Sequence, residues 1–481
     1  MRGNFKWPVA IALMLLVISG GAFAVVDSAS HGDPIAPVVL GVTGLLFVAL
    51  LGRFSARKLG LPSVMGELTI GIIVGNLALF FQFDLILVLR EGLHVFDTLQ
   101  QFLHQAQPEK ALCTGLVQDR DRWIIDLLGG PHGTELLQIA HTVDVFSRYG
   151  IIFMLFLVGL ETNVGEMLKV GGDSARVALI GVLAPFLLGI AASYAFIPDI
   201  SLQTALFLGA ALSATSVGIT VRVMDDLNLG KSRLVSTILG AAVFDDILGL
   251  LMLAVVSGIV VSGNIELGQI ARVILLATMF LGGAIFLGPY FLRVIIRLMR
   301  HLDLVEAKMF VSYMFVMVLA WLASLSGLAT IIGAFTAGLI LHDAYFKYWG
   351  DHTSHRVSIR DLIMPLEVIL VPIFFVLMGL QVKLESFADW HVASLASGLL
   401  VAAIVGKLVC GLGVGKSMNR LAIGFGMLPR GEVGLIFAAI GKGLGVVSDA
   451  LFSSLVLVVI VTTLLAPPLL KFALRNETRM T

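Results

Sequence analysis

Thirteen apolar stretches, each long enough to cross a hydrocarbon layer, leave this chain few ways to fold. They lie near 36–52, 63–82, 142–161, 174–196, 202–222, 234–262, 269–292, 305–327, 328–345, 361–380, 391–413, 421–441 and 447–471. A helix needs roughly 17–25 apolar residues to span a bilayer. Inside lipid every backbone polar group must be satisfied within the protein, which such helices do by themselves. The expected class is an all-α polytopic membrane protein with about 13 transmembrane helices and the lipid bilayer as its surroundings. Charged residues make up only 13% of the chain, against about 25% in a soluble domain. The formal net charge is +0, so nothing points to nucleic acid as a partner.

Residues 1–25 need a separate reading. "MRGNFK" is a short basic region, "WPVAIALMLLVISGG" an apolar one, and "AFA" at Ala22 to Ala24 resembles a cleavage site. The segment is a signal peptide or one extra N-terminal helix, and both readings put the residues after Ala24 outside. Basic residues in short loops set the orientation. "GRFSARK", "LNLGKSRLV", "RVIIRLMRH" and "GKSMNR" come after the first, fifth, seventh and eleventh stretches. All four fall on one side, the cytoplasmic one, and the C-terminus ends there too.

A polar excursion over 83–141 separates the second and third stretches. "LILVLREGLHVFDTLQQFLHQA" has helical apolar spacing, suited to the bilayer surface or to packing on the helices. His94, His104, His132 and His141 show no metal-ligand spacing, so a solvated helical cap is the plainer reading. Cys113 in this insert and Cys410 in an apolar run do not suggest a disulfide.

Ionisable residues within apolar stretches are the functional candidates. Asp245 and Asp246 sit together in "LGAAVFDDILGLLMLAVV". Adjacent helical residues point about 100° apart, so one carboxylate can face a water-filled cavity while the other faces a neighbouring helix. Their titrations couple, and a carboxylate binds either a proton or a small hard cation. A cap or an ordinary salt bridge is the plainer role for such acids, but the apolar run continues past Ile247. Lys407, mid-stretch in "LVAAIVGKLVCGLGVG", requires an acid partner, and Asp245 or Asp246 is the available one. The alternative is snorkelling to an interface. Glu367 lies near the end of its stretch and reads as an interface residue.

Two stretches carry helix-breaking patterns. "ALSATSVGIT" puts Ser213, Thr215, Ser216 and Gly218 inside the fifth, and "GMLPRGEVGLIF" puts Pro429, Arg430, Gly431, Glu432 and Gly434 inside the twelfth. Broken helices at mid-membrane expose carbonyls and helix ends to ions, and a matching pair points to an inverted repeat. "FMLFLVGLETNV" and "FFVLMGLQVKL" look like one motif used twice. Arg430 and Glu432 read as structural, each neutralised by the other or by the opposite broken helix.

Together, "AAVFDDILGLL", "SATSVGITVRV", "FMLFLVGLETN", "GAFTAGLIL", "PIFFVLMGL" and "PRGEVGLI" resemble the bacterial monovalent cation:proton antiporter-2 family. The resemblance implies the sodium/proton antiporter fold, with crossed broken helices, in a homodimer of the bacterial inner membrane. It implies dimerisation-domain helices over 36–161 and 305–380, a linker helix over 269–292, and core halves over 174–262 and 391–471. It assigns Asp246 as the main cation and proton site and so the metal (Na+ or Li+) ligand. It pairs Asp245 with Lys407 and places Thr215 and Ser216 near the ion. It implies a transporter, not an enzyme, with no cofactor beyond the transported monovalent cation and protons. The Asp-Asp pair with a lysine suggests an electrogenic exchanger. The alternatives are a K+/H+ antiporter or K+ efflux protein, and a membrane sensor that keeps the fold.

Overall fold

A computed structural model describes residues 35–92, 127–128, 130, 132–161, 172–197, 199–216, 220, 224, 233–262, 267–299, 301–346, 357–415, 418–430 and 432–475. The signal-like segment, His94, His104, Cys113, Gly218, Gly431 and the Glu432 side chain lie outside the described residues.

The described residues form helices α1 Ala36–Lys58, α2 Ser63–Phe81, α3 Asp84–Glu91, α4 Gly133–Glu161, α5 Gly172–Phe196, α6 Leu202–Ser213, α7 Arg233–Ser262 and α8 Leu267–Leu298. They continue with α9 Leu304–Leu325, α10 Thr330–Ile340, α11 Ile359–Leu380, α12 Trp390–Val409, α13 Arg420–Gly426, α14 Glu432–Gly443 and α15 Asp449–Arg475. Among them, 10 helices are long and apolar enough to cross a membrane, and α6, α10 and α14 are shorter apolar helices. The protein is thus an all-helical polytopic membrane protein. Lipid explains its exposed apolar residues. Phe286 and Leu287 of α8 are 82% and 69% exposed, a face that fits hydrocarbon as well as protein.

Several elements depart from the bounds read in the sequence. α4 begins at Gly133 rather than 142, because "GTELLQIAH" continues the helical pattern outward into the polar insert. The insert's "DLILVLRE" folds as α3 and buries Ile86, Val88 and Leu89, so this part packs on the helices. α10 spans only Thr330–Ile340 of the expected 328–345 and is followed by a 3-10 turn, Asp343–Phe346. The junction before it is a Schellman closure. Gly327 takes φ +74, its N–H donates to Ser324 O, and Leu328 N–H donates to Ala323 O at 2.9 Å.

The chain divides into two compact units, with the boundaries inside α4 after Gly150 and inside α11 before Val368. The unit of 1–150 and 368–384 is held by glycine-mediated crossings. A Cβ on Gly66 would stand 2.1 Å from Gly52 O, and one on Gly379 2.3 Å from Leu68 O. Small residues let membrane helices approach closely where no hydrophobic driving force separates lipid from protein. Two ion pairs lie within this unit, Arg53 with Glu67 and Lys383 with Glu91, each at 2.7 Å.

The unit of 151–367 and 385–481 holds the broken helices. In it α5 packs against α12, α6 and α7, α12 against α15, and α14 against α6 and α15. The α5–α12 pair is antiparallel. Val177, Gly181, Pro185 and Phe196 of α5 meet Gly413, Cys410, Gly406 and Gly398 in turn. Through this pair the helices α5–α7 pack on the helices α12–α15.

Candidate functional site

The two breaks form where the sequence weakens the helix. α6 is capped at its start by Ser201, whose side chain accepts from Thr204 N, and it stops at Ala214, whose ψ of 137 is extended. Ser213 Oγ donates to Ala210 O at 2.7 Å, a local side-chain bond that competes with helix continuation. α13 is capped by Asn419 and ends at Met427. Pro429 then supplies no N–H and pushes the residue before it towards extended backbone.

The breaks lie against each other, running in opposite directions. Ser216 N–H donates to Pro429 O at 2.9 Å. Thr215 Oγ1 donates to Met427 O at 3.4 Å and Thr220 Oγ1 to Gly426 O at 3.2 Å. Fully buried Arg430 donates Nη1 to Ala214 O and Nη2 to Ala403 O, both at 3.4 Å. Its guanidinium thus sits at the C-terminal end of α6, where unpaired carbonyls concentrate negative potential. The Arg430 carbonyl accepts the Thr463 hydroxyl from α15.

α7 presents Asp245 beside this crossing, with Asp246 the next residue along the helix. Asp245 Oδ2 accepts the Thr215 N–H at 2.8 Å, a donor available because α6 has ended. Asp245 Oδ1 lies 3.2 Å from Lys407 Nζ of α12, and both side chains are 0% exposed. Lys407 Nζ also donates to Gly181 O of α5 at 2.8 Å. Asp246 is 7% exposed, and Thr215 and Ser216 are buried. The network therefore gathers the Asp245 carboxylate, the Lys407 and Arg430 side chains and a cluster of neutral oxygens, all withdrawn from bulk solvent. Among the described residues no group of three or more His, Cys, Asp or Glu side chains suits a resident metal ion.

Of the residues singled out in the sequence, the structure brings Asp245, Lys407, Thr215, Ser216 and Arg430 into one connected network. Asp246 is the next residue along α7. Glu367 is half-buried within α11, past its start at Ile359 and ahead of Leu370. Sequence reasoning missed Gly181, Ala403 and Thr463, which contribute backbone carbonyls or a hydroxyl. Only Pro185, inside the α5 stretch, carried a signal for any of them.

The profile described as "Sodium/hydrogen exchanger, transmembrane" matches residues 123–476, which include every site residue. The chain belongs to the sodium/hydrogen exchanger family. Among relatives of this exchanger, the high-affinity Na+/H+ antiporter NhaS3 of Synechocystis sp. is 36% identical over 455 residues, covering 91% of this chain and 90% of that protein. The Na+/H+-K+ antiporter GerN of Bacillus cereus is 31% identical over 361 residues, covering 73% and 88%. The solved sodium proton antiporter MjNhaP1 of Methanocaldococcus jannaschii superposes with a TM-score of 0.57 at 17% identity, covering 92% of this chain and 99% of that one. That likeness supports the fold of the exchanger.

Proposed function

We propose that this exchanger moves a monovalent cation, Na+ or Li+, against protons by alternating access, as an electrogenic antiporter of the cation:proton antiporter-2 type. The observation that carries the reading is the Lys407–Asp245 pair, buried beside the crossing of two broken helices. Asp246 is the exchangeable cation and proton site, with Thr215 and Ser216 offering oxygens close by. With Asp246 protonated, Lys407 and Arg430 outweigh Asp245 by one positive charge, and an added Na+ raises that surplus to two in a low-dielectric site. Release of protons from Asp246 and from Lys407 removes that surplus and couples the two fluxes. An Asp246 proton and a Na+ compete for one carboxylate, which makes the exchange obligatory.

The relatives' names support sodium and proton as the substrates. In this reading the exchanger works as a homodimer in the bacterial inner membrane with a cytoplasmic C-terminus. The 174–262 and 391–471 halves form the moving core, and the 36–161 and 305–380 helices the dimerisation domain. The test is purified protein in proteoliposomes with an imposed pH gradient. Na+ and Li+ are expected to collapse the gradient, and K+ to have a smaller effect. Collapse by K+ alone would move the assignment to a K+/H+ antiporter, and no response to any cation would remove the antiporter reading.

A further inference from the structure

The Lys407 ammonium has two acceptors, and the second one is unusual. Gly181 O belongs to the middle of helix α5, where a carbonyl ordinarily accepts the N–H four residues on. That residue is Pro185, which lies inside the helix and has no N–H. A proline ring also crowds the carbonyl four residues back and splays the helix open there. The carbonyl left over takes a hydrogen bond from Lys407 Nζ at 2.8 Å, shorter than the 3.2 Å to Asp245.

The neighbour that brings the lysine to this carbonyl is glycine. A Cβ on Gly406 would stand 2.6 Å from Pro185 Cα and 2.7 Å from its N. Only a glycine lets α12 lie against the proline this closely, one position before Lys407. The charged and titratable groups around Lys407 are Asp245 from α7, Arg430 from the second break and Cys410 just past the end of α12. α5 contributes the Gly181 carbonyl, a fixed dipole that does not titrate.

We propose that Pro185 is a positioning residue for Lys407: by deleting one helical N–H it reserves the Gly181 carbonyl as a permanent seat for the lysine amine. The proposal rests on the coupling role given to Lys407 under the proposed function. Asp245 holds the lysine by charge, and that attraction vanishes when the lysine gives up its proton. A carbonyl accepts from an ammonium and from a neutral amine alike. Lys407 therefore stays in place through the cycle and recovers its proton without searching for a rotamer. The seat also favours the charged form, since ammonium donors make the stronger bond.

The test compares wild type, Pro185→Ala and Pro185→Ser. Both substitutions return an N–H to position 185, which competes with Lys407 for Gly181 O. Either one favours a straight helix, so folding is expected to survive. Two readouts are taken on the full chain. The first is the pH profile of Na+-driven exchange in proteoliposomes, expected to move about one pH unit to the acid side in both variants. The second is the melting temperature in detergent as a function of pH, which needs no transport. Its Lys407-dependent part, obtained by subtracting the Lys407→Ala protein, is expected to move acidward by the same amount. An unmoved melting profile overturns the proposal, as does an equal displacement when Pro185→Ala is placed in the Lys407→Ala background. A wild type that melts as expected but shows no exchange contradicts the antiporter reading and leaves the melting comparison to decide the role of Pro185.

Discussion

Lys407 of α12 and Asp245 of α7 meet at 3.2 Å across 162 positions of sequence, with neither side chain exposed. Removing one partner of such a pair leaves the other charge buried without compensation, at a cost of about 3–5 kcal/mol. Replacing both by neutral groups of similar size is far milder. Asp245→Asn alone is therefore expected to lower the melting temperature of the detergent-solubilised protein strongly. The double variant Asp245→Asn, Lys407→Met is expected to recover most of the loss. Losses that simply add would show that the pair is not coupled.

Charge movement reports on the same lysine. If Lys407 releases a proton when a cation binds, Lys407→Ala removes one charge from each turnover. Currents from proteoliposomes on a solid-supported membrane are expected to be reduced or absent under a Na+ jump. A current equal to wild type would argue that the lysine is a structural brace only.

Arg430 gives a graded comparison. Its guanidinium makes two hydrogen bonds to Ala214 O and Ala403 O, and bonds involving a charged group are worth about 1.5–3 kcal/mol. Thr463 contributes one neutral bond to the Arg430 carbonyl, worth about 1 kcal/mol. Arg430→Met is thus expected to lower the melting temperature more than Thr463→Val. The reverse order would show that the second break is held from α15 rather than from α6.

Two glycines make a cleaner contrast. A Cβ at Gly379 meets the Leu68 carbonyl at 2.3 Å, whereas one at Gly249 meets nothing within 4 Å. Backbone cannot swing aside as a side chain can, so Gly379→Ala is expected to impair folding and membrane yield. Gly249→Ala is expected to be neutral or to stabilise by up to about 1 kcal/mol, since it adds a better helix former. Equal yields for the two variants would mean that the α2–α11 crossing tolerates an added methyl group.

Much of this arrangement is legible in the sequence alone. "SATS" and "PRG" mark the breaks, because hydroxyls bond locally and proline removes a donor. The lysine announces its need for an acid, because an unpaired ammonium in an apolar helix is too costly to leave alone. The rest depends on backbone. Gly181 and Ala403 act through their carbonyls, which no side-chain pattern reveals. The outward start of α4 at Gly133 escapes a reading that takes polarity for the end of the helix, although helical periodicity runs on through "TELLQIAH". The short α10 is hidden by an apolar stretch that continues beyond the last helical residue into an extended Leu341.

The central claim is that Asp246 carries both ions. The direct measurement compares wild type with Asp246→Asn, at matched protein density and with folding checked by size-exclusion profile, in proteoliposomes holding an imposed pH gradient. Addition of Na+ or Li+ is expected to collapse the gradient for wild type and to leave it standing for the variant. Gradient collapse by the variant at the wild-type rate would contradict the assignment of the exchange site.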